Sequence, residues 1–123
     1  MSTAAVVNTH KRIVEQANAA FSKNDMEAFL GLCTDNIVWS MVGESTVTGK
    51  KAIRDWMKSM DPGTPSIKVD QIVAEGDVAF ATGTFRMKDK DGREAPYEYC
   101  DVYRFKGDQI AELKAYVIKR KEA

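Results

Sequence analysis

The spacing of apolar residues, helical in the first half apart from a short alternating run at 37–42, changes for the rest of the chain at Asp61-Pro62-Gly63-Thr64-Pro65. Upstream, apolar side chains recur every three or four residues, as on one face of a helix. Downstream they alternate with polar ones, the period of a half-buried strand. Two prolines and a glycine within five residues end whatever precedes them. A helical half followed by a strand half is an α+β plan.

The first helix is expected over residues 4–23, its stripe running through Val6/Val7, His10, Ile13/Val14, Ala17 and Ala20/Phe21, with Ser2 or Thr3 as cap. Asn24-Asp25 breaks it, and Asp25 can cap a short second helix over 26–33. Residues 37–42 read as a short strand with Ile37, Trp39 and Met41 on one face. Residues 43–49 form a polar loop between glycines, in which Glu44 reads as a surface acid. A third helix over 50–60 carries Ala52, Ile53, Trp56, Met57 and Met60. Four strands follow over 66–75, 78–88, 94–105 and 109–119, joined at Gly76-Asp77, Asp91-Gly92 and Lys106-Gly107-Asp108. No linker, repeat or low-complexity stretch interrupts them, so residues 1–123 read as a single domain. A strongly curved antiparallel sheet packed on one face by three helices would enclose a cone-shaped cavity, a natural small-molecule site.

Within the third of these strands, alternation puts Tyr97, Tyr99, Asp101, Tyr103 and Phe105 on one face. Asp101 is thus a single acid in a column of aromatics, a costly position unless something stabilises or uses it. Burial among Tyr99, Tyr103 and Trp39 would raise its pKa, and a tyrosine hydroxyl donated to it would lower the pKa. Two readings stay open. In one, Asp101 is an acid/base with Tyr99 and Tyr103 as phenolic donors to an oxyanion; in the other it is a structural acid among core aromatics. Phe21, Trp39, Met41, Trp56 and Leu113 are the expected walls of a pocket for an apolar, ring-containing ligand. His10 falls in line with the first helix's stripe and reads as a hydrogen-bonded structural histidine.

Charge narrows the partners. The chain carries 18 basic and 18 acidic residues, formal net charge +0, where nucleic-acid and anionic-membrane surfaces need a positive excess. Lys119-Arg120-Lys121 is a solvated strand end. Cys33 and Cys100 lie far apart, and His10 is the sole histidine, so no structural zinc site, metal or organic cofactor is expected. Residues 1–8 hold no apolar run of signal-peptide length, and no stretch has the length of a membrane span; a cytoplasmic protein with reduced thiols is expected. Glu98, Arg104, Glu112, Lys114 and Tyr116 fall on the outer sheet face, which suits a homodimer interface or solvent.

Several segments, taken together, resemble the nuclear-transport-factor-2-like superfamily, in its SnoaL-like and ketosteroid-isomerase-like branch. They are Asn24-Asp25-Met26-Glu27-Ala28-Phe29, Thr34-Asp35-Asn36-Ile37-Val38-Trp39, Thr48-Gly49-Lys50-Lys51-Ala52-Ile53 and Asp101-Val102-Tyr103-Arg104-Phe105-Lys106-Gly107. The resemblance implies a cystatin-like roll and places Asp101 where ketosteroid isomerases keep a protonated aspartate and SnoaL-like cyclases an acid/base. The isomerase's strand base falls at Met41 and its helix tyrosine near Ala17, so two of its three groups are missing. Residues 84–88 likewise lack the carboxylate of an epoxide-hydrolase Asp-Arg-Asp set. The implied function is proton transfer on an apolar ring compound by Asp101, or a ligand-binding or dimerisation module whose site has decayed.

Overall fold

Glycine turns join the four long strands of the second half to one another, and the computed structural model, which describes residues 3–59 and 66–121, lays them out as a meander. Helix α1 spans Thr3–Ser22 and α2 Met26–Leu30; strands β1 (Cys33–Met41) and β2 (Ser45–Thr48) precede α3 (Lys50–Lys58). Then come β3 (Ser66–Glu75), β4 (Val78–Lys88), β5 (Glu94–Lys106) and β6 (Gln109–Lys119). The proposed cap Ser2, the stripe residue Met60 and the break at residues 61–65 lie outside the described residues. Among the described residues, no helix is long and apolar enough to cross a membrane.

The sheet order is β2-β1-β6-β5-β4-β3. All neighbours are antiparallel except β1 and β6, which run parallel, so the sheet is mixed rather than wholly antiparallel. Parallel pairing follows from the long excursion through α3 and four strands that separates β1 from β6. Register shifts at Cys33/Val38, Val69/Gln71 and Arg104/Phe105 mark bulges, which bend their strands and curve the sheet.

Two elements differ from the sequence reading. The second helix stops at Leu30 and β1 starts at Cys33, because Cys33 already pairs with Ile110 and donates its thiol hydrogen to the Phe29 carbonyl at 3.3 Å. The polar loop 43–49 contains β2, which turns back on β1 with Trp39 opposite Val47 and the Ser40 and Thr46 hydroxyls 3.1 Å apart.

Helix α1 packs its stripe on β3 and β4. Asp25 caps α2 as expected, accepting from the Ala28 amide at 3.1 Å. The narrow end of the roll is closed by a dense core that includes Val14, Phe29, Ile37, Ile53, Tyr103 and Leu113. His10 is buried there, stacked on Phe105 with ring centroids 4.0 Å apart. Its Nδ1 lies 3.0 Å from the Gly76 carbonyl oxygen and its Nε2 2.9 Å from that of Gly107, so one ring ties α1 to both the β3–β4 and β5–β6 turns. Those turns hold Gly76 and Gly107 at φ +59° and +62°, a region that strains other residues.

Candidate functional site

Strand β5 presents its aromatic column to the concave side of the sheet, and the size of the neighbours changes along it. Tyr103 sits between Ala79 and Leu113, Asp101 between Ala81 and Ala115, and Tyr99 between Gly83 and Val117. With alanine on either side, Asp101 has open space above it. Gly83 has no side chain because the Tyr99 ring crosses it: a β-carbon there would stand 2.7 Å from the Tyr99 hydroxyl and against the Lys68 carbonyl oxygen. The result is a cavity of about 380 Å³ with Asp101 in its wall, within the size range of small-molecule sites.

Aromatic side chains from every layer complete the wall. Trp39 of β1 packs against Phe21 of α1 and edge-on against Trp56 of α3, at centroid distances of 5.7 and 5.4 Å. On the other side Phe85 stacks on Tyr97 at 5.1 Å and tilts against Tyr99 at 5.9 Å. Met41 lines the same space. Of the residues singled out in the sequence, Asp101, Tyr99, Phe21, Trp39, Met41 and Trp56 therefore meet at one cavity.

Tyr103 and Leu113 do not line it. They pair with each other across β5 and β6, fully buried one register step deeper, where the helices close over the sheet. Tyr103 belongs to the core rather than to a ligand surface. Glu44, read as a surface acid, is exposed yet borders the cavity, as does Asp25. Asn18, unremarked in the sequence, is buried in its wall. The signal was there: it stands four residues after Val14 and three before Phe21, on the stripe itself.

Electrostatics single out Asp101. Its side chain is half-buried, its accessible part facing the cavity, and burial pushes its carboxyl up to about 7. No group among the described residues donates a hydrogen bond to it, so nothing offsets the desolvation of the charged form. Tyr99 is pushed up to about 12, by burial first and by the Asp101 charge second. Tyr103 moves in the same direction for the same leading reason. Both phenols thus stay protonated at neutral pH, and the Tyr99 hydroxyl has no partner among the described residues. No cluster of three or more His, Cys, Asp or Glu side chains among the described residues is placed to hold a metal ion.

A sequence profile describing the SnoaL-like domain matches residues 14–113. The chain belongs to the SnoaL-like domain family. Solved structures place this SnoaL-like domain among NTF2-like folds. An NTF2-like protein of unknown function from Cytophaga hutchinsonii is 28% identical, with TM-score 0.74 over 89% of this chain and 99% of that one. An epoxide hydrolase of the LEH-like type from M. tuberculosis is 18% identical, with TM-score 0.78 over 91% and 84%. A protein from Jannaschia sp. CCS1 assigned to the SnoaL-like polyketide cyclases is 10% identical, with TM-score 0.81 over 91% and 87%. A comparison with curated proteins returns no match. The cavity of this SnoaL-like domain also has a charge signature: Asp25, Glu44 and Asp101 border it, and no lysine, arginine or histidine does among the described residues.

Proposed function

We propose that the cavity binds an apolar, ring-containing small molecule and that Asp101 carries a proton to or from it. One observation carries the reading: a carboxyl without a hydrogen-bond partner among the described residues, held at about 7 by burial, in the wall of an aromatic cavity. An acid tuned near neutrality holds both protonation states at working pH, the condition for general acid–base catalysis. An enolisable carbon set against Asp101 would give up its proton there, and Tyr99, which lines the cavity, would be the phenolic donor to the developing oxyanion if its hydroxyl turns to the ligand. Relatives named for epoxide hydrolysis and polyketide cyclisation support small-molecule chemistry on this fold. The overall charge balance favours such a partner over nucleic acid.

A second reading, ligand binding without turnover, is favoured by Met41, which lines the cavity but cannot accept a proton. Hydrogen–deuterium exchange at the α-carbon of enolisable ring ketones, followed by NMR in D2O, separates the two. The proton-transfer reading expects exchange by the wild type and a loss of about 100-fold or more in Asp101→Asn, with binding retained. Ketones that bind but never exchange would leave only the binding module. We propose in addition that the outer sheet face pairs with a second copy of the chain.

A further inference from the structure

The polar groups of the cavity wall are not equally open to a ligand. Trp39 Nε1, the Tyr99 hydroxyl and Asn18 Nδ2 can donate, but each of these atoms is buried. As the wall stands, a ligand does not meet them. The atom that Asn18 leaves open is its carboxamide oxygen, an acceptor. Asn18 is only 5% exposed, and its Nδ2 has no partner among the described residues. It sits on the inward stripe of α1, where an apolar side chain would pack as well and favour the helix more. A carboxamide in that place is costly unless its polar end is used.

Charge points the same way. Asp101 faces the cavity, Asp25 and Glu44 stand exposed at its edge, and among the described residues no basic side chain borders it. The remaining polar side chains of the wall, Asn24, Trp56 and Tyr97, add no positive charge. An anion would be repelled by these carboxylates, whereas a cation is drawn to them and to the faces of the tryptophan and tyrosine rings. The burial that holds Asp101 at about 7 is offset once a positive charge stands beside it, because an opposite charge favours the ionised form. We infer that the ring compound carries a protonated amine, whose ammonium hydrogens are accepted by the Asn18 carboxamide oxygen and the Asp101 carboxylate. This rests on the reading above that the cavity binds a ring compound, and adds the charge of that compound. Pairing leaves Asp101 ionised, the state in which it can take a proton from carbon.

The two tryptophans of the chain both line the cavity, so their indole N–H resonances report occupancy. Nitrogen-15 correlation spectra of the intact protein are titrated at pH 8 with phenethylamine, phenethyl alcohol and phenylacetate, probes of similar shape that are positive, neutral and negative. Phenethylamine is expected to bind about tenfold more tightly than the alcohol, the size of one hydrogen bond to a charged group. Phenylacetate is expected to bind most weakly. Asp101→Asn, which removes the charge and keeps the shape, should reduce the amine's advantage to about twofold or less. Asn18→Leu, which removes the open oxygen, should reduce it about threefold. Each advantage is a ratio within one protein, so a general loosening of the cavity cancels. The inference is overturned if wild type binds the amine no better than the alcohol, if phenylacetate matches the amine, or if either variant keeps the full advantage. Any of these results leaves ring binding itself standing. If none of the three probes moves the indole resonances, the ligand-cavity reading fails and this one falls with it.

Discussion

A carboxyl whose pKa rises on folding binds protons more tightly in the native state, so the native state loses ground as pH climbs. For Asp101, held at about 7, stability is greatest below the unfolded carboxylate range near 4 and falls as pH rises through 7. Asp101→Asn cannot ionise and should flatten that slope. Urea unfolding at pH 4.5, 6 and 8 should show the variant gaining on wild type with pH, by on the order of 2–4 kcal/mol at pH 8. Parallel curves for the two proteins would mean that the carboxylate is solvated in solution. The face that Asp101 occupies was legible in the sequence because a strand alternates by twos and a single acid interrupts the aromatic column. Depth along that face was not. Tyr99 and Tyr103 share a face and flank Asp101 on either side, yet only Tyr99 reaches the cavity, because the helices rather than the strand determine where the roll closes. Leu113, opposite Tyr103, was misplaced for the same reason. Asn18 escaped notice because the α1 stripe was traced through its apolar members.

Elements in the strand half were the most legible: β3, β4 and β6 begin and end where periodicity and turn residues put them. Strand β2 was not, since Ser45-Thr46-Val47-Thr48 has no apolar alternation and is defined by pairing with β1. Nor was the parallel β1–β6 pairing, which joins Cys33 to Ile110 across most of the chain. The contact that holds the halves together is equally non-local. His10 links α1 to turns that lie 66 and 97 residues away, and Phe105, on which it stacks, receives further support where its amide donates to the Asp77 carbonyl at 2.8 Å. His10→Ala removes both carbonyl partners and a stacked ring, and should cost about 2–4 kcal/mol. Hydrogen exchange should then rise in α1 and at the Gly76 and Gly107 turns while β1 and β2 stay protected. A uniform rise across the sheet would show instead that the ring merely fills core volume.

At the scale of the whole molecule, the two faces of the sheet differ in kind. The concave face is covered by helices; the convex face carries no helix among the described residues and has a shallow groove of about 490 Å³ that Lys68, Thr84, Glu98, Cys100, Tyr116 and Ile118 border. Ile118 is 68% exposed and Tyr116 41%, and they stand opposite Glu98 and Cys100 in the pairing with β5. Around them lie charges of both signs, including the Arg104–Glu112 pair at 3.6 Å, an arrangement that can complement its own image across a two-fold axis. A stable interface buries about 800 Å² per partner, which needs most of this face rather than its apolar centre alone. If two copies meet here, the Tyr116→Lys/Ile118→Lys double variant places four ammonium groups at the axis and should dissociate the dimer. Light scattering behind size exclusion should then give twice the 13.7 kDa chain mass for wild type and the single mass for the variant. Because these side chains point away from the cavity, the monomeric variant should still bind ring ligands through Trp39 and Trp56. A wild type that is monomeric at high micromolar concentration would leave the convex face to solvent, and the cavity would then have to act within a single chain.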